Sequence, residues 1–217
     1  MNIIHVVSRK FKSINLHHKH KNSRMQKLTI ASIFILFMAC SRPVYENPHV
    51  IINTGFGDIE VELFTGKAPK TTAAFLNYID SGYYDNSSFY RVLKAEEFPT
   101  DHNSGIIQGG IWKTSPERSA GIRGISHEST LQTSLSHTDG ILSMARLDTG
   151  TAKTEFFICI GDQSPLDYGR RGTPDGQGYA AFGKVFSGMD VVRKIQAQKS
   201  NADAFEKLIG INKIIRL

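Results

Sequence analysis

A serine, a histidine and an aspartate can together support nucleophilic hydrolysis, and the 217-residue chain holds His127, His137 and Asp139 among several serines. No serine, however, stands in a Gly-x-Ser-x-Gly turn, the setting that presents such a nucleophile to its substrate. Gly66-Lys67 could end a phosphate-cradling loop, but that loop needs Gly at 61 and Ser or Thr at 68, where Val61 and Ala68 stand. Metal chemistry asks for His and Cys at ligand spacing. Four of the eight histidines (His5, His17, His18, His20) crowd the first 24 residues without such spacing, and the others are scattered. Hydrolase, nucleotide and metal sites are therefore set aside, and no metal or cofactor is expected.

A different signal comes from five short motifs in fixed order. They are Phe89-Tyr90-Arg91-Val92, Ile106-Ile107-Gln108-Gly109-Gly110, Gly140-Ile141-Leu142-Ser143-Met144-Ala145, Glu155-Phe156-Phe157-Ile158 and Ala181-Phe182-Gly183-Lys184-Val185. Ahead of them runs Ala68-Pro69-Lys70-Thr71-Thr72, with Phe75 three residues on. Each alone is weak; in this order and at these separations the series resembles the cyclophilin family of peptidyl-prolyl cis/trans isomerases, from about Val50 to Leu217.

The resemblance implies a mainly β fold, a closed eight-stranded antiparallel barrel capped by two helices, with its active groove on the outside. It also implies residue roles. Arg91 takes the place of the catalytic arginine, Gln108 that of the glutamine beside it, and Phe157 that of the aromatic floor of the proline pocket. Phe182, Leu166 and Tyr179 fall at other pocket positions, and Ile106 replaces a usual methionine. The chemistry fits these types. Rotating an X–Pro bond means losing amide resonance at a barrier near ~20 kcal/mol, with nothing made or cleaved. In the twisted amide the prolyl nitrogen regains a lone pair that a permanently charged guanidinium can meet. An acceleration of ~10⁴ asks for only about 5–6 kcal/mol of differential stabilisation, within reach of such a donor and an apolar pocket.

Departures from the family pattern gather at the groove rim. Arg146 stands where an asparagine offers its backbone to the peptide, and Glu155 where glutamine is usual. This cation and anion would alter sequence preference or pair with one another. Gly105 replaces an aromatic of the pocket, for which Phe98 on the preceding loop is a candidate substitute. Pro165 replaces the rim tryptophan, and Trp112 lies elsewhere.

Periodicity gives the elements that must position these residues. Short β-type runs, VIINT, DIEVELF, SFYRVL, GIIQGGI, GILSMAR, EFFICI, YAAFGKVF and NKIIRL, are separated by Gly-rich turns, a count that suits a barrel or sandwich. Helical spacing marks APKTTAAFLNYIDSG, with Pro69 in its first turn and a stop at Gly82, and a second stretch from about Met189 to Ala197. Segments 94–104, 113–137 and 161–178 read as loops.

The formal charge of +6 is a property of the leader. Arg9, Lys10, Lys12, Lys19, Lys21, Arg24 and Lys27 precede residue 40 with no acid among them, leaving 19 basic against 20 acidic side chains beyond. Nucleic acid is therefore not expected as a partner. The apolar run Leu28 to Cys40 has the length of a signal-peptide core rather than of a span, and Ala39-Cys40 resembles a bacterial lipobox, although Phe37 and Met38 depart from it. The expected organisation is a basic leader and signal peptide over 1–39 (with Met25 an alternative start), a stalk over 40–48 anchored to a membrane by lipid on Cys40, and the isomerase domain over 49–217. Cys159 is expected to be a buried, unpaired thiol. The chain reads as a monomeric, envelope-anchored isomerase acting on proline-containing polypeptides that are exported. The rival reading is a non-catalytic proline-peptide-binding or holdase module.

Overall fold

The computed structural model describes residues 45–96 and 103–217. The leader, Cys40, most of the stalk and Phe98 lie outside the described residues. β1 (His49–Thr54) and β2 (Gly57–Leu63) form a hairpin across Gly55–Phe56, pairing His49 with Glu62 and Thr54 with Gly57. Ile59, Val61 and Leu63 point inward while Asp58, Glu60 and Glu62 alternate outward, the period of two that a half-buried strand requires. The remaining strands are β3 (Ser87–Glu96), β4 (Asn103–Gly110), β5 (Ile141–Met144), β6 (Phe156–Ile160), β7 (Ala180–Ser187), β8 (Ser200–Asn201) and β9 (Ala204–Arg216).

Antiparallel pairing runs β1-β2-β7-β5-β6-β4-β3-β9, and β9 returns to β1 through Val50↔Arg216 and Ile52↔Ile214. The ring is the expected closed eight-stranded barrel, which leaves no open edge to be protected. The two-residue β8 stands outside it as a hairpin on the start of β9. That start was not expected as strand. Between Phe205 and Ile214 the buried positions are Phe205, Ile209, Ile211 and Ile214; exposed Lys207 and a register shift against β3 between Ala204 and Ile209 break the alternation that would reveal the start.

The two expected helices close the barrel. α1 (Pro69–Asp80) buries Thr71, Thr72, Phe75, Leu76, Tyr78 and Ile79. Its first turn has no cap from its own flank. Instead Glu128, 58 residues on, accepts the Lys70 N–H at 3.1 Å and, through its other oxygen, the Thr71 N–H at 2.8 Å, placing a negative charge at the positive end of the helix. The segment read as a loop over 113–137 also carries two short helices, α2 (Pro116–Ala120) and α3 (Thr130–Thr133). α4 (Met189–Gln196) buries Val191, Val192 and Ile195.

Apolar side chains fall into two clusters on opposite faces of the sheet. The barrel interior holds Phe75, Phe89, Ile107, Leu142, Phe156, Ile158 and Phe182 with many others. A smaller cluster on the outer face holds Ile106, Leu135, Ile141, Phe157, Cys159 and Ala181, with Leu166 and Tyr179 packed on it. Strand alternation does the sorting: Phe156 goes in and Phe157 out, Ile107 in and Ile106 out, Phe182 in and Ala181 out. Cys159 is buried and, among the described residues, has no disulfide partner.

Candidate active site

Arg91 reaches the outer face because β3 is bulged. Phe89 and Val92 both enter the interior, three positions apart rather than two, and the pairing with β4 and with β9 shifts between Phe89 and Arg91. The extra residue lets Tyr90 and Arg91, neighbours in sequence, both face outward. Arg91 then lies opposite Gln108 on β4 and Ala204 on β9.

Its guanidinium is held from two sides. Nε–H donates to Asp203 Oδ2 at 2.8 Å, and Nη1 donates to Gln108 Oε1 at 3.3 Å. Asp203 sits in the β8–β9 turn, where Ala202 occupies the left-handed region at φ 50° and the Asp203 carbonyl accepts the Val92 N–H at 2.9 Å. The Arg91 guanidinium beside Asp203 holds that carboxyl below its usual range. Three of the five guanidinium N–H groups have no protein partner among the described residues.

Beside Arg91 opens a hollow of about 330 Å³ lined by Leu93, Ile106, Gln108, Phe157, Leu166 and Tyr179, among others. Phe157 forms its floor. The His137 ring stacks behind Phe157 at 6.0 Å between centroids, and Tyr179 meets it edge-on at 5.3 Å. His137 Nδ1 donates to Asp167 Oδ1 at 2.6 Å, which makes Nε2 the acceptor for the Ser143 hydroxyl at 3.0 Å. Burial pushes the His137 pKa down despite Asp167, so the ring is neutral at physiological pH. Asp167 follows Leu166 in the turn Ser164–Leu166, and its bond to His137 ties that wall of the hollow to the sheet.

Serine, histidine and aspartate thus do meet, with Asp167 rather than Asp139 as the acid, but Ser143 and His137 are both 0% exposed. No substrate reaches them, and the trio is structural. Asp139 instead accepts from Gly161 and Arg193.

A wider hollow of about 650 Å³ continues from the first. The two share Gln108, Ala145, Arg146 and Leu147, and the second adds Tyr90, Trp112, Lys153 and Glu155. Among the described residues no group of three or more His, Cys, Asp or Glu is placed to hold a metal ion.

Arg146 and Glu155 do not pair with each other. The Arg146 side chain is 2% exposed and bonds Asp175 through both terminal nitrogens at 2.8 Å. It also donates from Nε to Gly178 O at 3.0 Å and lies 5.5 Å from the Tyr179 ring centroid. What Arg146 leaves to the groove is its backbone, and its cation fixes the loop that leads into Tyr179. Glu155 is also occupied: Oε1 accepts from Ile111 N–H at 2.9 Å, Trp112 N–H at 3.0 Å and the Thr154 hydroxyl at 3.1 Å, and Oε2 accepts the Tyr90 hydroxyl at 2.8 Å. Burial pushes its carboxyl pKa up against the pull of these donors. The close approach needs Gly110, where a Cβ would lie 2.5 Å from the Glu155 carboxyl.

Phe182 is the correction. It was expected in the pocket and is instead 0% exposed in the barrel interior, 5.0 Å from Phe75 between ring centroids. Alternation on β7 gives the outer face to Ala181. Gly105 likewise admits no side chain: at φ 135°, a Cβ there would meet the Leu93 carbonyl oxygen at 2.0 Å. Leu93, paired with Ile106, lines that part of the hollow. Sequence reasoning missed Leu93, Tyr90 and Asp203. Tyr90 had a signal, its place beside Arg91, whereas Asp203 lies 112 residues from its partner with no motif around it.

Comparison with known proteins agrees with this geometry. The profile of the cyclophilin type peptidyl-prolyl cis-trans isomerase/CLD family matches residues 49–215. Among curated proteins, peptidyl-prolyl cis-trans isomerase A of Dickeya dadantii is 30% identical over 188 residues, covering 84% of this chain and 91% of that one. Peptidyl-prolyl cis-trans isomerase B of Escherichia coli is 35% identical over 148 residues, covering 68% and 83%. A solved cyclophilin type isomerase from Cryptosporidium parvum superposes with a TM-score of 0.62 at 26% identity, over 79% of this chain and 98% of its own. The same protein was also solved in the presence of the dipeptide Ala-Pro, with a TM-score of 0.60. The barrel, the outer groove and the profile over residues 49–215 lead to one conclusion: the chain belongs to the cyclophilin-type peptidyl-prolyl cis-trans isomerases and is an enzyme of that activity.

Proposed function

We propose that the enzyme turns X–Pro bonds in exported polypeptides and that Arg91 supplies the decisive interaction. One observation supports this above the others. A guanidinium fixed by Asp203 and Gln108 stands at the mouth of an apolar hollow floored by Phe157. In this reading the hollow takes the proline ring through Ile106, Phe157, Leu166 and Tyr179, while the Arg146 backbone aligns the peptide beside it. As the amide twists, its nitrogen pyramidalises and accepts a hydrogen bond from a free Arg91 N–H, an interaction absent in the planar ground state. No proton is transferred and no bond is broken. The solved relative with Ala-Pro agrees with a proline-containing ligand.

A protease-coupled peptide assay on the full-length chain tests the assignment. Arg91→Ala should fall towards the uncatalysed rate with its fold intact; an Arg91→Ala variant as fast as wild type would sink it, and both at background would favour the non-catalytic binding or holdase module.

Export and anchoring through Cys40 rest on the apolar run and the Ala39-Cys40 pair. Labelled fatty acid should enter the wild-type chain and not Cys40→Ser; label in the mutant would refute the anchor.

A further inference from the structure

Arg91 belongs to a hydrogen-bonded chain longer than its two direct partners. From the other end, Glu155 Oε2 accepts the Tyr90 hydroxyl at 2.8 Å, the Tyr90 oxygen accepts Gln108 Nε2–H at 2.8 Å, and Gln108 Oε1 accepts Arg91 Nη1 at 3.3 Å. Every link has a direction, and the directions depend on one another. A carboxylate can only accept. Tyr90 keeps its proton, because burial and the nearby Glu155 charge push its pKa up, so its hydroxyl donates to Glu155 and presents a lone pair to Gln108. That lone pair draws the amide nitrogen of Gln108, which turns the amide oxygen towards Arg91.

We propose that Glu155 is a positioning residue for isomerisation: through Tyr90 it sets the orientation of the Gln108 amide and thereby holds the Arg91 guanidinium in place. The inference rests on the role given to Arg91 above. It explains why an ionisable side chain sits in this half-buried place with four donors on its two oxygens, an arrangement that fixes the carboxylate while the Tyr90 link leads from it to Gln108 and Arg91.

Glu155→Gln tests it with almost no change of shape. The new amide keeps its oxygen on the Ile111 and Trp112 N–H groups and so directs its NH2 at Tyr90. The Tyr90 proton then has only Gln108 to face, the Gln108 amide inverts, and NH2 meets guanidinium where oxygen did. A hydrogen bond to a charged group is lost, so kcat should fall about tenfold with KM little changed. Tyr90→Phe alone frees Gln108 to face Arg91 without instruction and should cost about twofold, less than one ordinary hydrogen bond. The double variant is decisive: Tyr90→Phe should restore Glu155→Gln to the level of Tyr90→Phe alone. A Glu155→Gln enzyme with wild-type kcat overturns the inference, as does a double variant no faster than Glu155→Gln. In the wild-type chain, whatever the variants do, the Gln108 side-chain amide protons should show NMR cross-peaks to the Tyr90 ring; cross-peaks to the Arg91 guanidinium in their place overturn it. Arg91→Ala, measured alongside, separates the two readings: slowed by about 10²–10³-fold with Glu155→Gln at wild type, this inference alone fails, whereas Arg91→Ala at wild type removes the mechanism beneath both.

Discussion

The inner and outer faces of the same strands are built for different ends. Phe156 and Phe157 are neighbours, equally aromatic and nearly equally buried, at 0% and 2% exposure. Phe156 is wedged among Phe75, Tyr84 and Phe89 in the barrel interior. Phe157 looks out, backed by His137 and flanked by Tyr179, as the floor of a hollow. The interior is predominantly apolar, the Tyr84 hydroxyl being met by the Thr154 carbonyl at 2.9 Å, and works by packing; the outer face interleaves apolar floor with a directed polar chain and works by orientation. Burial alone therefore does not distinguish a core residue from a site residue in this fold.

Substitutions can break that division or sharpen it. Phe182→Ala, an interior change, should cost about 3–5 kcal/mol of stability in denaturant unfolding while the rate per folded molecule stays near wild type; a large rate loss at full folding would mean the faces are not separable. Arg91→Ala, an outer change, should cost about 10²–10³ in kcat/KM, the range for removing one preorganised donor, with an unchanged unfolding midpoint. His137, stacked behind Phe157, should show itself through pH. Its folded pKa is depressed below the ordinary 6.5, so the unfolded chain takes up a proton that the native state refuses. Stability is then complete above 6.5 and falls by about 1 kcal/mol per pH unit as pH drops from there to the folded value. His137→Gln should flatten that slope in urea titrations at stepped pH. Of these four the smallest effect is expected at Asp203, a half-exposed partner: Asp203→Ala should lower kcat by up to about fivefold, and Asp203→Glu should recover part of it.

The same division decides what was legible in the sequence. Strands β1 and β2 and helices α1 and α4 announce themselves because one face is buried and the period follows, whereas β5 and β6, buried on both faces, show only as short apolar runs between turns. The family pattern carried Arg91, Gln108 and Phe157 to their places, since each lies within a motif. It misled at Phe182, because AFGKV marks the strand and says nothing of which face its phenylalanine takes. Tyr90 and Arg91 share a face only through a bulge, and no residue type in SFYRV signals one. Asp203 and Glu155 matter through partners distant in sequence, and such pairings have no local period to read.

Closure of the barrel falls to β9, which pairs with β1 through Arg216, while the turn just before it brings Asp203 to Arg91. Both β1 and β9, far apart in sequence, are needed before the ring exists. Synthesis proceeds at about 5–20 residues per second, and pairings this far apart are the slow ones to form. Until β9 has paired with β1 the ring stays open, Asp203 is not yet against Arg91, and the groove that makes the enzyme is incomplete.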